Sequence, residues 1–335
     1  MSRASPTPLD DPMAGARSAV LHGKYRQAMD ALDALPAEVR GSPEARLLLA
    51  MASWRSGDYQ RSRTAALEAG DGFRRGGDFD GVMRADNVAA AAAFALGDLD
   101  AAERGFERTM TLADRRHDML MMGRCANNLG NIAYYRAAAL DALSHYRLAI
   151  ASFEGLGFTH GLAEAWLNSA LVLREAGDLA ASRDAADRAI GLAEYAGAAR
   201  LKAQAMAAAA ETALEAGDLP LALSLCGRAT RLAEAEDDLL NVADAERIRA
   251  RIDRRRGRLD EAWASAERAV AIARRLGHLW SIAESEAELA ELALTGGRKE
   301  EAMTRAEHAA EAFGRLGSTT RANAVRRLVR ENSLQ

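Results

Sequence analysis

Glu175-Ala176-Gly177-Asp178-Leu179 returns forty positions later as Glu215-Ala216-Gly217-Asp218-Leu219. The glycine of this motif belongs to a series, Gly57, Gly97, Gly177, Gly217, Gly257 and Gly297, with Ala137 at the one vacant position. A second series, offset by 20 residues, runs Gly77, His117, Gly157, Gly197, Asp237, Gly277, Gly317. Each period therefore carries two chain reversals between two long apolar segments, so the unit is a helical hairpin. A fixed period of this length means a solenoid, because one hairpin cannot bury its apolar face without a stacked neighbour.

At 335 residues a compact chain would split into two or three domains. An array grows in one dimension, so a single continuous domain is expected. Alanine dominates a hydrophobic fraction of 49%, while aromatics supply 5%, which suits closely approaching helices with thin cores. Arginine far outnumbers lysine, which occurs only at Lys24, Lys202 and Lys299, a bias that fits a GC-rich coding genome. Net charge is -4, so no basic field recruits nucleic acid or an anionic membrane. Cys125 and Cys226 fall on inward positions of different repeats and are expected as reduced, buried thiols. The first twelve residues lack the apolar core of a signal peptide, and no apolar run approaches membrane-spanning length, so the expected setting is the cytoplasm.

Residues 1–8 read as a disordered lead, with helix beginning between Leu9 and Met13. A first, shorter repeat turns at Gly23, places Ala28 and Leu32 inward and ends at Pro36. Ser42-Pro43-Glu44 then supplies an N-cap, a proline at the first helical position and an acid in the first turn. Small residues recur on the first helix at Ala50, Ala90, Gly130, Ala170, Ala210, Ala250 and Ala290. On the second helix they recur at Ser62, Ala102, Ala142, Ser182, Ala222, Ala262 and Ala302, and again at Ala149, Ala189, Ala229, Ala269 and Ala309. These are expected close-approach points. Thr319 to Glu331, with Ala322, Val325, Leu328 and Val329 on one face, reads as the capping helix that a solenoid end needs, within a terminal segment 318–335. The glycines between Gly70 and Gly81 match no phosphate-binding fingerprint and read as a frayed hinge.

Leu129-Gly130 in a first helix, the Gly97-Asp98-Leu99 turn, and Ala102 and Phe106 in a second helix resemble the tetratricopeptide repeat over residues 9–317, as about eight repeats. The period of 40 is similar to the longer repeats of kinesin light chain and of bacterial peptide-receptor regulators. The resemblance implies an all-α fold, an α-solenoid of about eight helical hairpins wound as a right-handed superhelix, with a C-terminal capping helix. Departures occur at Asp86, Ala93, Arg249 and Asp253, where those layers are expected to pack loosely.

With each intra-repeat turn glycine set at position 15, positions 2, 5, 6, 9, 12 and 13 share one helix face. The resemblance places that face inside the superhelix. In repeats three to five it carries Asn87, Arg124, Asn127, Asn128, Asn131, Tyr134, Tyr135, Asn168 and Arg174. An asparagine amide offers a donor and an acceptor to an extended peptide backbone, and arginine can take a carboxylate bidentately. Asn128 and Asn168 share one register, and the resemblance implies that such a ladder clamps peptide main chain. The same amides would also tie adjacent helices together or hold water. Trp54 and Phe94 lie near this groove, Trp166 occupies the family's buried tryptophan position, and Trp263 and Trp280 have no assigned role.

The arginines of repeat seven, Arg247 to Arg258, face Glu211 and Glu215 on one side and Glu284, Glu286, Glu288 and Glu291 on the other. A surface ion-pair ladder accounts for most of this charge, ahead of an anion-binding patch. The six histidines show no metal-ligand spacing, and no nucleophile, base and orienter form a trio. The expectation is a non-enzymatic scaffold without cofactor or metal, binding a peptide or protein segment in its groove, with exposed terminal hairpins that could make a homodimer or dock into a larger complex. The alternative is a stand-alone sensor that responds to a peptide or small ligand. The chain leaves no evident room for a DNA-binding domain before Leu9 or after Glu331, which weighs against the sensor without removing it.

Overall fold

The computed structural model describes residues 11–333, so the lead at 1–8 lies outside the described residues. Every helix break at the two glycine series adopts the left-handed conformation, with φ between 50° at Asp237 and 85° at Gly57. At Gly97 the glycine N–H donates to Phe94 (3.0 Å) and the Asp98 N–H to Ala93 (3.0 Å), which closes the first helix by a Schellman motif. Asp98 then accepts from the Ala101 N–H (3.1 Å) and caps the second helix. Asp178 and Asp218 repeat the cap on Ala181 and Leu221 (3.0 and 3.1 Å). Glycine and aspartate thus carry the two halves of one turn. His117, Ala137 and Asp237 hold the same left-handed conformation without glycine's freedom.

Contacts divide the chain after Cys125 into two units. The first contains α1 (Ala14–Leu21), α2 (Tyr25–Asp33), α3 (Ala37–Arg40), α4 (Pro43–Ser56), α5 (Tyr59–Gly76), α6 (Phe79–Ala95), α7 (Leu99–Arg115) and the start of α8 (Met119–Tyr135). Ala28 and Leu32 are buried as expected, and Ser42 accepts from the Ala45 N–H (3.3 Å) to start α4. The one-turn α3 between Pro36 and Ser42 was not expected. The glycine-rich stretch is not a frayed hinge: α5 runs unbroken through Gly70 and Gly72. Gly72 and Gly81 are close-approach points instead, since a Cβ on Gly72 would stand 2.9 Å from Pro43 and one on Gly81 2.4 Å from Phe73.

The second unit holds the end of α8 and then α9 (Ala139–Glu154), α10 (Thr159–Glu175), α11 (Leu179–Tyr195), α12 (Ala199–Glu215), α13 (Leu219–Ala235), α14 (Leu239–Arg255), α15 (Leu259–Leu276), α16 (Leu279–Thr295), α17 (Lys299–Arg315) and α18 (Thr319–Ser333). Consecutive helices pack as pairs, and first helices stack on first helices, α10 on α12, α12 on α14, α14 on α16 and α16 on α18.

The small-residue registers are the buried seams of both units. All the register alanines are at most 3% exposed. Gly130 is buried too, and a Cβ there would reach within 2.4 Å of the Tyr146 ring. Ser62 and Ser182 add a hydrogen bond across their hairpins, donating to the Ala50 and Ala170 carbonyls (2.9 and 2.8 Å). Asp86 and Asp253, where loose layers were expected, are buried and paired. Arg74 reaches both Asp86 oxygens (2.6 and 2.7 Å), and Arg258 pairs with Asp253. Arg249 needs no layer, because it faces solvent. Cys125 and Cys226 are free and buried, and burial pushes their thiols up to about 12 and about 11.

Candidate site on the inner helix faces

Within the first unit, Asn87 on α6 is half-buried and its Oδ1 accepts from the Cys125 thiol at 3.9 Å, a long contact for a weak donor. Arg124 lies on the exposed side of α8. Trp54 is 37% exposed with the Arg55 guanidinium 5.4 Å above its ring, and Phe94 is half-buried. In the second unit the first helices bring the remaining candidates together. Asn168 on α10 donates from Nδ2 to Asn127 Oδ1 on α8 (3.1 Å), so the asparagines link adjacent repeats. Asn131 accepts from the buried Tyr146 hydroxyl (2.8 Å), which ties α8 to α9. Asn128 is half-buried and makes no side-chain hydrogen bond among the described residues. Three amides of this face, those of Asn127, Asn131 and Asn168, therefore tie helices together, and the Asn128 amide has no side-chain partner among the described residues.

Arg174 belongs to a charge network rather than to an open clamp. Its Nη1 donates to Glu215 (2.6 Å), and its Nη2 lies 3.4 Å from Glu211. Arg247 and Arg251 both donate to Glu211 Oε1 (2.8 and 2.6 Å), and Arg254 reaches Glu288 (2.7 Å) and Glu291 (2.6 Å). The expected inter-repeat ladder exists, yet it is not a surface ladder. Glu211 is 3% exposed, so burial alone would push its carboxyl up, but Arg174, Arg247 and Arg251 together hold it far below the usual carboxylate range. Glu286 leaves this series and pairs with Arg274 (2.5 Å) and Arg305 (3.3 Å). Asp244, beside Arg247 and accepting from Ser281 (3.2 Å), is pushed up to about 6 by burial, with Glu211 and Glu284 adding to the rise.

Tyr134 and Tyr135 end α8 in a cluster that no repeat register predicts. The Tyr135 ring stacks on Trp280 of α16 with centroids 4.2 Å apart, and Tyr134 meets the same indole at 5.6 Å. Phe313 packs edge-on against Trp280 (5.5 Å). From the start of α18, Arg321 donates to the Tyr134 carbonyl (3.2 Å) and to both Glu175 oxygens (3.2 and 2.7 Å). Ser318 donates to the Tyr135 carbonyl, across 183 positions of sequence. The first helices of this unit therefore close from α8 onto α16 and α18. Trp280 and Arg321 are the residues that sequence reasoning missed. Trp280 has no assigned role in the repeat pattern, and Arg321 is not among the candidates it yields. Neither carries a periodic signal, because the contact joins repeats that are not neighbours. Trp166 is half-buried with the Arg188 guanidinium 4.7 Å over it, and Trp263 is covered by Arg298 at 3.8 Å.

Among the described residues no His, Cys, Asp and Glu cluster could hold a metal, and no helix is long and apolar enough to cross a membrane. No protein-family model matches the chain, and no curated protein matches it either. Solved structures do. The apo form of RapI is similar with a TM-score of 0.68 at 10% identity, over 91% of this chain and 86% of that one. The Rap conjugation gene regulator of plasmid pLS20, in complex with the Phr* peptide, has a TM-score of 0.58 at 12% identity, over 95% of each chain. The apo form of the quorum sensor NprR from B. thuringiensis has a TM-score of 0.53 at 14% identity, over 96% of this chain and 97% of that one. Left-handed turns on a fixed period, paired helices stacked in register and this likeness together make the chain a tetratricopeptide-type helical-repeat protein in fold.

Proposed function

We propose that this chain is a non-enzymatic interaction protein that holds an extended peptide or partner segment along the inner faces of its first helices. The observation that carries the proposal is the asparagine face of α8 and α10. Asn127 and Asn168 are joined at 3.1 Å, and Asn128 presents a half-buried amide with no partner among the described residues. An unpaired amide beside a rigid pair can meet both the N–H and the C=O of an extended backbone. The names of the similar structures agree in kind, since one is a gene regulator in complex with a peptide and another is a quorum sensor. Peptides selected from a random library on the wild-type protein provide the test. The Asn128→Ala, Asn168→Ala double variant, still helical by circular dichroism, should bind them roughly 10- to 30-fold more weakly, as two lost amide hydrogen bonds require. Unchanged affinity overturns the proposal.

The closure of α8 onto α16 and α18 favours the sensor as a second reading. A ligand that binds the open form better than the closed form would shift the two populations. The radius of gyration from small-angle scattering, with and without the selected peptide, tests it, and an unchanged radius rejects it.

A further inference from the structure

The α18 arginines divide sharply. Arg326 pairs with Glu307 at the surface, and Arg327 and Arg330 face solvent, but Arg321 turns inward with 15% of its side chain exposed. Its guanidinium carbon lies 4.5 Å from the centre of the Tyr134 ring and 5.1 Å from that of Trp280. Nη1 and Nη2 take the two oxygens of Glu175 as a fork, and Nη2 also reaches the Tyr134 carbonyl. The Tyr134 hydroxyl in turn donates to Glu175 (2.5 Å), which fixes the carboxylate in place. Two aromatic faces, one oriented carboxylate and one backbone carbonyl make a cage for a planar, forked cation. An ammonium group could satisfy the charge but neither the fork nor the stacking.

We infer that the cage formed by Tyr134, Glu175 and Trp280 is a guanidinium-binding site, occupied in cis by Arg321, and that its exogenous ligand is an arginine side chain of a partner peptide. The occupant sits on the terminal helix. Among the described residues α18 packs chiefly on α17 and α16, apart from this closing contact, so displacing it disrupts one end of the array and leaves the other helix pairs intact. Arg321 then acts as a plug that a competing arginine removes, and occupancy of the cage by peptide would open the contact between α8 and α18. The identity of the ligand's source rests on the peptide-binding reading. The existence of the cage does not.

The experiment is rescue of the full-length Arg321→Ala variant by small cations, read as thermal stability. Millimolar methylguanidinium should raise its Tm by roughly 2–4 °C, equal concentrations of methylammonium should not, and the wild type, already occupied, should respond to neither. Addition of Glu175→Gln to the variant should abolish the response. If Arg321→Ala does not fold, Arg321→Lys keeps the charge without the fork and is measured in the same way. An equal response to the two cations, no response at all in the folded variant, or a response that survives Glu175→Gln overturns the inference. Because the peptide reading is tested at Asn128 and Asn168, through contacts that Arg321 does not make, either result can fail without the other.

Discussion

Trp280 of α16 lies on the ring of Tyr135 at the end of α8, with centroids 4.2 Å apart and planes 22° apart. This stack is the hub of the closing contact. Phe313 packs edge-on against the indole, and Ser318 and Arg321 bond to the carbonyls of Tyr135 and Tyr134 on the α8 side. Replacing Trp280 with alanine removes a half-buried aromatic surface, with an expected cost of about 2–3 kcal/mol, below that of a fully buried ring. Hydrogen exchange should accelerate in α18 and at the end of α8 while α11 to α13 keep their protection. Uniform acceleration across the unit would contradict a local role.

Glu211 is the acceptor on which Arg174, Arg247 and Arg251 converge. Its removal strands buried guanidinium groups, because the Nε atoms of Arg174 and Arg247 already lack partners among the described residues. Glu211→Ala should lose about 3–5 kcal/mol in urea unfolding, far beyond the surface value expected from sequence. Replacing exposed Glu300 should change stability by less than about 0.5 kcal/mol and serves as the reference.

Asp244 gives the protein a pH dependence of known sign. Burial, aided by Glu211 and Glu284 and opposed by Arg247 and Ser281, pushes its carboxyl up to about 6. A raised folded value means that its contribution is fully present below the unfolded value near 3.8 and is lost as pH rises through about 6. Asp244→Asn keeps an acceptor for Ser281 and removes the titration. The variant should therefore gain stability over the wild type between pH 4 and pH 7, by about 1–3 kcal/mol. Parallel stability curves over that range would exclude the effect.

Ala137 occupies a left-handed position at φ 59° that glycine fills in the other turns of its series. Its N–H still donates to Tyr134 (3.0 Å) and the Ala138 N–H to Ala133 (2.9 Å), so the turn is formed despite the strained residue. Ala137→Gly should raise stability by about 1 kcal/mol, the relieved left-handed strain being partly offset by glycine's unfolded-state entropy. The urea midpoint should rise without a change in slope.

The sequence by itself determined the hairpins, their period and their seams. A left-handed turn selects glycine, the following cap selects aspartate and a close helix approach selects alanine, and each choice is made within one repeat or between neighbours. Even where the glycine is missing, at Ala137, His117 and Asp237, the period placed the turn correctly. The partition of the inner face was not legible in the same way. Asn127, Asn128 and Asn168 are equivalent as letters, yet two are joined and one has no side-chain partner among the described residues. The arginines of repeat seven read as surface charge and are buried around Glu211. Only the tertiary structure decided that Tyr135 meets Trp280 and that Arg321 fills the cage beside them. Such contacts join repeats that are not neighbours, and they depend on the small rotation of each repeat summed over several. A modest difference in that angle leaves every local rule satisfied while deciding which side chains meet where α8 faces α16 and α18.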